Sequence, residues 1–169
     1  DLTALGIDPS GPEEGGNGGR LGLMRASWPP EKQSGGWDVI LALNVFAHVD
    51  DLHSFTAAVK EALAPDGVFI VEVGMLDLVV ARGHFDTIYA EHMSYHSLNP
   101  LVKFFPRHGL HVQNIKVIDS QGGSLRLYVT HQPCFGSIGN EFEPDITNLR
   151  PIIDARASEQ APHVPAMQA

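Results

Sequence analysis

The sequence has few cysteines and few basic residues, and both shortages exclude classes of protein. Its 169 residues include one cysteine, Cys134, so the chain alone builds neither an internal disulfide nor a four-thiolate zinc site. This cysteine usage fits a reducing, cytoplasmic setting. Only 11 lysines and arginines stand against 20 acidic residues, a formal charge of −9. Nucleic-acid affinity depends on clustered basic side chains, so neither DNA nor RNA is an expected partner.

Long hydrophobic runs are also absent. No apolar run reaches the roughly 18–20 residues that a membrane-spanning helix requires, and the N-terminus lacks a basic region followed by an apolar one. Neither membrane insertion nor export is therefore expected. Apolar residues make up 43% of the chain, enough for one sizeable core and hence one domain. Because Asp1 leads almost directly into a predicted strand, we interpret the chain as a piece of a longer protein.

The first part of the chain predicts short strands with irregular connections. A strand is predicted over residues 2–7 and another over residues 21–25. Between them, residues 11–19 contain five glycines and one proline, which predicts a loop. The unbroken apolar run over residues 39–43 predicts a strand buried on both faces, as is typical of parallel sheets.

The middle of the chain predicts a βαβ unit. Asp51 is placed to cap a helix whose apolar positions from Leu52 to Leu63 follow helical spacing, and Pro65-Asp66-Gly67 ends it. The next strand is predicted over residues 68–73. Such a unit crosses over right-handedly and covers one sheet face with its helix, so the sequence predicts an α/β fold with a mostly parallel, doubly wound sheet.

The last predicted elements are a helix and an antiparallel hairpin. Residues 98–108 have helical spacing with Gly109 in the stop position. Two strands, over residues 111–118 and 124–131, flank a glycine-containing turn and predict the hairpin. The expected domain therefore covers residues 1–131. Residues 132–169 are expected to be a weakly ordered tail or the start of a truncated C-terminal domain.

Two polar residues follow predicted strands where an α/β sheet binds its ligands. Asp8 and Asn44 each come at the carboxyl end of a strand, where cofactors sit in open α/β sheets. The Asp8 carboxylate can accept hydrogen bonds from both ribose hydroxyls of a nucleotide-type cofactor. The alternative is that Asp8 simply forms an Asp-Pro-Ser turn. No glycine-rich cofactor loop precedes Asp8 in the sequence.

Four segments carry a resemblance to a known family. They are residues 38–52, residues 63–73, the insert of residues 85–95 (Phe-Asp-Thr-Ile-Tyr-Ala-Glu-His-Met-Ser-Tyr) and residues 122–126 (Gly-Gly-Ser-Leu-Arg). Together they resemble class I S-adenosylmethionine-dependent sugar C-methyltransferases over residues 2–131. The branch that the chain looks like methylates carbon 3 of nucleotide-linked 4-keto-deoxysugars. The Tyr-x-Glu-His element of the insert is the most specific part of this match.

The resemblance implies a fold, a cofactor, a substrate class and a set of roles. It implies a Rossmann-like methyltransferase sheet, S-adenosyl-L-methionine as cofactor and a nucleotide-sugar as small-molecule substrate. It further implies that His92 is the catalytic base, with Tyr89, Glu91 and His48 beside the sugar. Family members usually also carry an N-terminal four-cysteine zinc module, a glycine loop after the first strand and a C-terminal domain. The chain contains none of the three, so it is expected to be the middle of such an enzyme.

The chemistry of these side chains suits methylation next to a ketone. That reaction removes a proton from carbon and stabilises an enolate, and a neutral imidazole titrates near working pH, where a general base is most effective. Glu91 is a candidate for orienting the His92 ring. If the segment is helical, Tyr89 shares a face with His92 and can donate to the enolate oxygen, a part that His48 can also play. No metal is required.

Three alternatives stay open at this point. One is methyl transfer to another small molecule, and another is a non-catalytic remnant that cannot hold cofactor. The third is a metal-dependent hydrolase, because four potential ligands lie within a short stretch: His84, Glu91, His92 and His96. Their spacing does not match His-Glu-x-x-His, which disfavours the hydrolase.

Overall fold

The computed structural model describes residues 4–10, 14–16, 21–29 and 36–133, which form two β-sheets and three α-helices. The first sheet has three short strands: β1 (Ala4–Ile7), β2 (Glu14–Gly16) and β3 (Leu21–Met24). Their spatial order is β1-β3-β2, with β1 parallel and β2 antiparallel to β3. Strand β2 falls inside the segment predicted to be a loop, so that prediction is wrong for these three residues.

The second sheet has four strands: β4 (Trp37–Leu43), β5 (Leu63–Gly74), β6 (His111–Ile118) and β7 (Ser124–Thr130). Their order is β4-β5-β7-β6. Strands β4 and β5 are parallel, whereas β5 with β7 and β6 with β7 are antiparallel. The predicted hairpin is confirmed. Both sheets are mixed, so the expectation of a mostly parallel sheet is not confirmed.

Helix α1 (Leu52–Ala62) connects β4 to β5, which confirms the predicted βαβ unit. The Asp51 carboxylate accepts hydrogen bonds from the backbone amides of His53 (3.0 Å) and Ser54 (3.1 Å), satisfying two of the donors that a helix start leaves unpaired. The Ser54 hydroxyl also donates to this carboxylate, which holds the pKa of Asp51 below its usual value. Strand β5 begins directly after the helix, earlier than predicted.

Helix α3 spans Leu98–Phe104. The core lies between α1, α3 with the segment that follows it, and one face of the second sheet. Phe69, Val71 and Val73 alternate along β5 and are almost fully buried. Gly109 ends the helical segment in a left-handed conformation (φ +66°) after a 3-10 turn over Phe105–His108, as its position predicts. Among the described residues, no helix is long and apolar enough to cross a membrane.

Strand β4 corrects one prediction. Ala42 is 3% exposed, but Val39, Leu41 and Leu43 are 53%, 58% and 45% exposed. Side chains alternate between the two faces of a strand, so one face of β4 joins the core and the other meets solvent. The expectation that this apolar run is buried on both faces is therefore wrong.

The segment between β5 and α3 holds the insert against the sheet. It begins with α2 (Leu76–Arg82), which the sequence analysis did not predict, and Gly83 ends that helix in the left-handed region. A 3-10 turn over Phe85–Thr87 follows, and the chain then runs irregularly until His96 forms an isolated bridge with Met75. This bridge returns the insert to the carboxyl end of β5. Of the tail expected over residues 132–169, residues 134–169 lie outside the described residues.

Candidate active site

A cavity of about 500 Å³ lies at the carboxyl ends of β4 and β5. Its walls come from the strand ends and the segment after β4, from Val79 of α2, from the insert with the preceding His84, and from the hairpin turn of residues 119–123 between β6 and β7. The polar side chains that line it are those of Asn44, His48, His84, Asp86, Thr87, Tyr89, His92, Ser94, Tyr95 and Gln121. Its volume is in the ordinary range for small-molecule sites.

His92 has its ring orientation set by the backbone. Its Nδ1 lies 2.7 Å from the Thr87 carbonyl oxygen, and its Nε2 lies 2.8 Å from the Tyr89 hydroxyl. A carbonyl oxygen can only accept a hydrogen bond, so Nδ1 carries the proton. In the neutral ring, Nε2 therefore keeps a lone pair that accepts from the Tyr89 hydroxyl. His92 is thus held in the tautomer that a general base needs.

His48 repeats this arrangement. Its Nδ1 lies 2.8 Å from the backbone carbonyl oxygen of Glu91, so Nδ1 donates and Nε2 is the basic nitrogen of the neutral ring. The ring centroid of His48 is 4.9 Å from that of His92 and 6.4 Å from that of Tyr89. The two imidazoles and the phenol therefore form one cluster, contributed by the segment after β4 and by the insert.

Tyr89 reaches His92 through a turn. The His92 amide donates to the Tyr89 carbonyl over 3.1 Å, and the two ring centroids are 4.1 Å apart. The segment is not helical at these residues, but the turn still brings them together. Tyr95 adds a second bond to the Thr87 carbonyl, from its hydroxyl at 3.2 Å. This carbonyl thus accepts from both Tyr95 and His92.

Glu91 takes part through its backbone. Its side chain is exposed and does not line the cavity, whereas its carbonyl orients His48. Glu91 was a candidate for orienting the His92 ring, but among the described residues the ring nitrogen Nδ1 is bound by the Thr87 carbonyl instead. The expected place of Glu91 beside the sugar stays a prediction.

The two predicted cofactor residues differ in position. Asn44 lines the cavity at the end of β4 and has a left-handed backbone (φ +55°). Its backbone N–H donates to the Glu72 carbonyl over 2.9 Å. Asp8 is exposed, lies outside the cavity lining, and accepts a hydrogen bond from the Ser10 amide at 2.6 Å. This bond is the Asp-Pro-Ser turn that the sequence left open as an alternative.

Several residues that line the cavity were not predicted from the sequence. His84, Asp86, Ser94 and Gln121 were given no place in the methyl-transfer site, yet all four contribute to its walls. The signal for Gln121 was its place in the predicted hairpin turn, because such turns lie at the same sheet edge as the strand ends. Arg126 was left out of the site, and it forms a cross-strand ion pair with the buried Glu72 (2.7 Å) instead.

The four potential metal ligands separate in the structure. His96 is 7% exposed, packs on Phe46 with ring centroids 5.4 Å apart, and contacts the Ser94 hydroxyl at 2.9 Å. Burial lowers the pKa of His96. Across the described stretches, no three histidine, cysteine or acidic side chains are grouped so that they could hold a metal ion.

Comparison with known proteins identifies the class. Residues 2–115 match the family described as a methyltransferase domain, which is most of the described chain. The chain belongs to this methyltransferase domain family, whose methyl donor is S-adenosyl-L-methionine. The expected enzyme class and cofactor are thereby confirmed.

One curated protein and two solved structures add detail. The C-methyltransferase NovU of Streptomyces niveus is 43% identical over 83 residues, which cover 49% of this chain and 20% of NovU. The chain therefore spans about a fifth of that relative's length. The Haloferax volcanii protein solved with the Trm112 methyltransferase activator gives a TM-score of 0.62 at 17% identity, covering 77% of this chain and 73% of that one. The structure of magnesium protoporphyrin IX methyltransferase of Synechocystis PCC 6803, with bound S-adenosylhomocysteine, gives a TM-score of 0.51 at 14% identity. This match covers 68% of this chain and 53% of that one.

The solved structures establish the fold of this chain as that of a methyltransferase. The chemistry of the cavity fits the donor, because the cationic sulfonium is compatible with a lining whose described residues include the acidic Asp86 and neither lysine nor arginine. Asn44 lines the cavity at the end of β4, so it could hold the cofactor there, and this role stays a prediction. The role of Asp8 as a ribose ligand, at the end of β1 and outside the cavity lining, stays a prediction.

Proposed function

We propose that this chain carries the catalytic site of a C-methyltransferase that acts on a nucleotide-linked 4-keto-deoxysugar through an enolate. The observation that carries the proposal is the locked tautomer of His92, whose Nδ1 proton is bound by the Thr87 carbonyl at 2.7 Å and whose Nε2 lone pair faces the cavity cluster. Transfer to oxygen or nitrogen can proceed without enolate chemistry. Transfer to carbon beside a ketone requires a base of this kind.

In the first step His92 Nε2 takes the proton from the carbon beside the ketone. The electron pair of the broken carbon–hydrogen bond moves into the enolate, whose negative charge develops on the ketone oxygen. Tyr89 is placed to donate its hydroxyl to that oxygen once the hydroxyl turns away from Nε2, and donors aimed at developing charge stabilise transition states strongly. The second imidazole, His48, lies close enough to share this part.

In the second step the enolate carbon forms a new carbon–carbon bond. When bound, S-adenosylmethionine supplies the electrophilic methyl group, and its sulfur keeps the electrons of the bond that breaks. The proton taken from the substrate remains on His92, where the Thr87 carbonyl stabilises the imidazolium through the existing Nδ1 hydrogen bond. His92 is partly exposed, so it can return this proton to solvent.

Two further observations support carbon as the acceptor atom and a sugar as substrate. The match to NovU, a protein named as a C-methyltransferase, supports the first. The cavity lining supports the second, because it offers hydroxyl, amide and imidazole groups suited to neutral polar ligands. No lysine or arginine is among the described residues that line it, so the substrate's phosphates are expected outside the cavity.

The proposal is tested by following the proton. With S-adenosylhomocysteine bound in place of the donor, the chain should exchange the hydrogen beside the ketone of a nucleotide-linked 4-keto-6-deoxyhexose for deuterium, measured by NMR. The His92→Ala variant should lose this exchange by about 10²–10⁴-fold, the usual contribution of a general base. Its affinity for S-adenosylhomocysteine, measured calorimetrically, should stay within about twofold of wild type, because the base touches the acceptor.

The matched control is His111→Ala, which removes a histidine of β6 that does not line the cavity. The His111→Ala variant should catalyse the deuterium exchange of the substrate at the wild-type rate. Normal exchange by His92→Ala would overturn the mechanism. A folded wild-type chain that binds no S-adenosylhomocysteine would instead favour the non-catalytic alternative.

A further inference from the structure

Two residues of the described chain have an unusual backbone, and both line the same cavity. Among the described residues, only Asn44 (φ +55°) and Gln121 (φ +50°) are non-glycine residues with positive φ. This left-handed region is unfavourable for residues with a side chain, and asparagine tolerates it better than glutamine does. Strained residues of this kind concentrate at functional sites. Asn44 already has a proposed role at the donor, whereas Gln121 has none.

The strain at Gln121 is maintained by the turn around it. The Gly123 amide donates to the Ser120 carbonyl over 2.8 Å, and the Ser124 hydroxyl donates to the same carbonyl over 2.9 Å. On the other side, the Met75 amide donates to the Gly123 carbonyl over 3.1 Å, which ties the turn to the end of β5. The backbone at Gln121 is therefore fixed before any ligand binds.

The hairpin turn places Gln121 two strands away from Asn44, the residue with a predicted role at the donor. Strand β5 lies between β4 and β7, so the ends of β4 and β7 are about 10 Å apart at the usual strand spacing. Asn44 follows β4, and Gln121 precedes β7. Gly122 also contacts His84 so closely that a Cβ there would lie 2.7 Å from the imidazole ring. Gln121 therefore sits where the hairpin turn meets the residue preceding the insert.

We propose that Gln121 is a substrate-recognition residue whose amide binds a hydroxyl or ketone oxygen of the acceptor sugar. A primary amide can donate two hydrogen bonds and accept others, so it matches a polar, uncharged ring. The proposal rests on the proposed function, since it names a contact of the same substrate. It assigns the hairpin turn to the acceptor and leaves the donor to Asn44 and the β1 end.

The test compares three substitutions in the whole chain by calorimetric titration. Gln121→Ala removes the amide and keeps the left-handed strain. Gln121→Asn keeps an amide, one methylene shorter, in a residue that tolerates this backbone. Gln132→Ala is the matched control, because Gln132 is exposed and does not line the cavity. The two probes are S-adenosylhomocysteine and a nucleotide-linked 4-keto-6-deoxyhexose.

Gln121→Ala should weaken binding of the sugar nucleotide about tenfold, the effect of one lost hydrogen bond, and change that of S-adenosylhomocysteine less than twofold. Gln121→Asn should lose less affinity for the sugar nucleotide than Gln121→Ala does, and Gln132→Ala should lose none. Unchanged sugar binding by Gln121→Ala, or a loss confined to S-adenosylhomocysteine, would overturn the assignment while leaving the proposed function standing. If the wild-type chain binds S-adenosylhomocysteine but no keto-sugar nucleotide, both proposals are wrong.

Discussion

At the scale of single residues, the backbone of the insert decides which nitrogen of each histidine is basic. The carbonyls of Thr87 and Glu91 bind the Nδ1 protons of His92 and His48. The motif predicted which side chains meet, and the structure brings Tyr89, His92 and His48 together as expected. The motif did not predict that Glu91 acts through its backbone carbonyl, because a sequence pattern identifies side chains and not the path of the main chain.

The Tyr89 hydroxyl has a testable part in this cluster. Tyr89→Phe removes the donor to His92 Nε2 and, in the proposed mechanism, the donor to the enolate oxygen. We expect kcat to fall by about 10²-fold with KM little changed, because the bond to the oxyanion strengthens only in the transition state. Steady-state kinetics measures the split. A rise in KM at constant kcat would show that Tyr89 only binds substrate.

Asp8 can be separated into its two roles by one conservative change. Asp8→Asn keeps an oxygen that can accept from the Ser10 amide but removes the charge that strengthens bonds to ribose hydroxyls. We expect thermal stability to stay near that of wild type. Affinity for S-adenosylhomocysteine should fall by about tenfold, the difference between charged and neutral hydrogen bonds. Unchanged affinity would leave Asp8 as a turn residue only.

At the scale of elements, the cavity depends on contact between the hairpin turn and His84. We predict that Gly122→Ala displaces the His84 ring, since a Cβ would lie 2.7 Å from it, and that Gly109→Ala does not. Both glycines have similar positive φ (+78° and +66°), so both substitutions carry a comparable backbone penalty of about 1 kcal/mol or more.

The comparison isolates the effect on the site. Thermal unfolding of the two variants should shift down by similar amounts, while affinity for the keto-sugar nucleotide should fall only in Gly122→Ala. Equal sugar affinities in both variants would show that the His84 contact does not shape the cavity.

Most elements were predictable from local patterns, and the exceptions have physical reasons. Helix α1 has both a capping aspartate and apolar periodicity, and the hairpin has a turn rich in glycine. Helix α2 has only seven residues and an apolar stretch, Leu78-Val-Val-Ala81, that alternation and periodicity do not distinguish from a strand. Strand β2 forms through its pairing with β3, a contact that glycine-rich local sequence does not indicate.

At the scale of the whole molecule, buried histidine links stability to pH. Burial lowers the pKa of His96, and burial together with the neighbouring His53 charge lowers that of His108. The unfolded chain, with ordinary histidines, then binds more protons than the folded chain once pH falls below about 6.5. The contribution of these histidines to stability should therefore be constant above this pH. It should decline as the pH falls below it, towards the lower pKa values of the histidines in the folded state.

Urea unfolding at pH 7.5 and 5.5 measures this decline. His96→Gln, which cannot gain a proton in this range, should show a smaller loss of stability than wild type, whereas His111→Gln, in the half-buried first position of β6, serves as the matched control. One histidine can change the free energy of unfolding by at most about 1.4 kcal/mol per pH unit. Identical pH dependence in wild type and His96→Gln would exclude His96 as a source.

The exposed face of β4 has a practical consequence for handling the protein. Strand β4 is at the edge of its sheet within the described residues, and Val39, Leu41 and Leu43 form an apolar row along it. Unpaired strand edges with apolar side chains are sites at which chains aggregate. We expect light scattering from the purified chain to rise with concentration and Leu41→Lys to reduce it, so this face of β4 limits the concentration at which the titrations can be run.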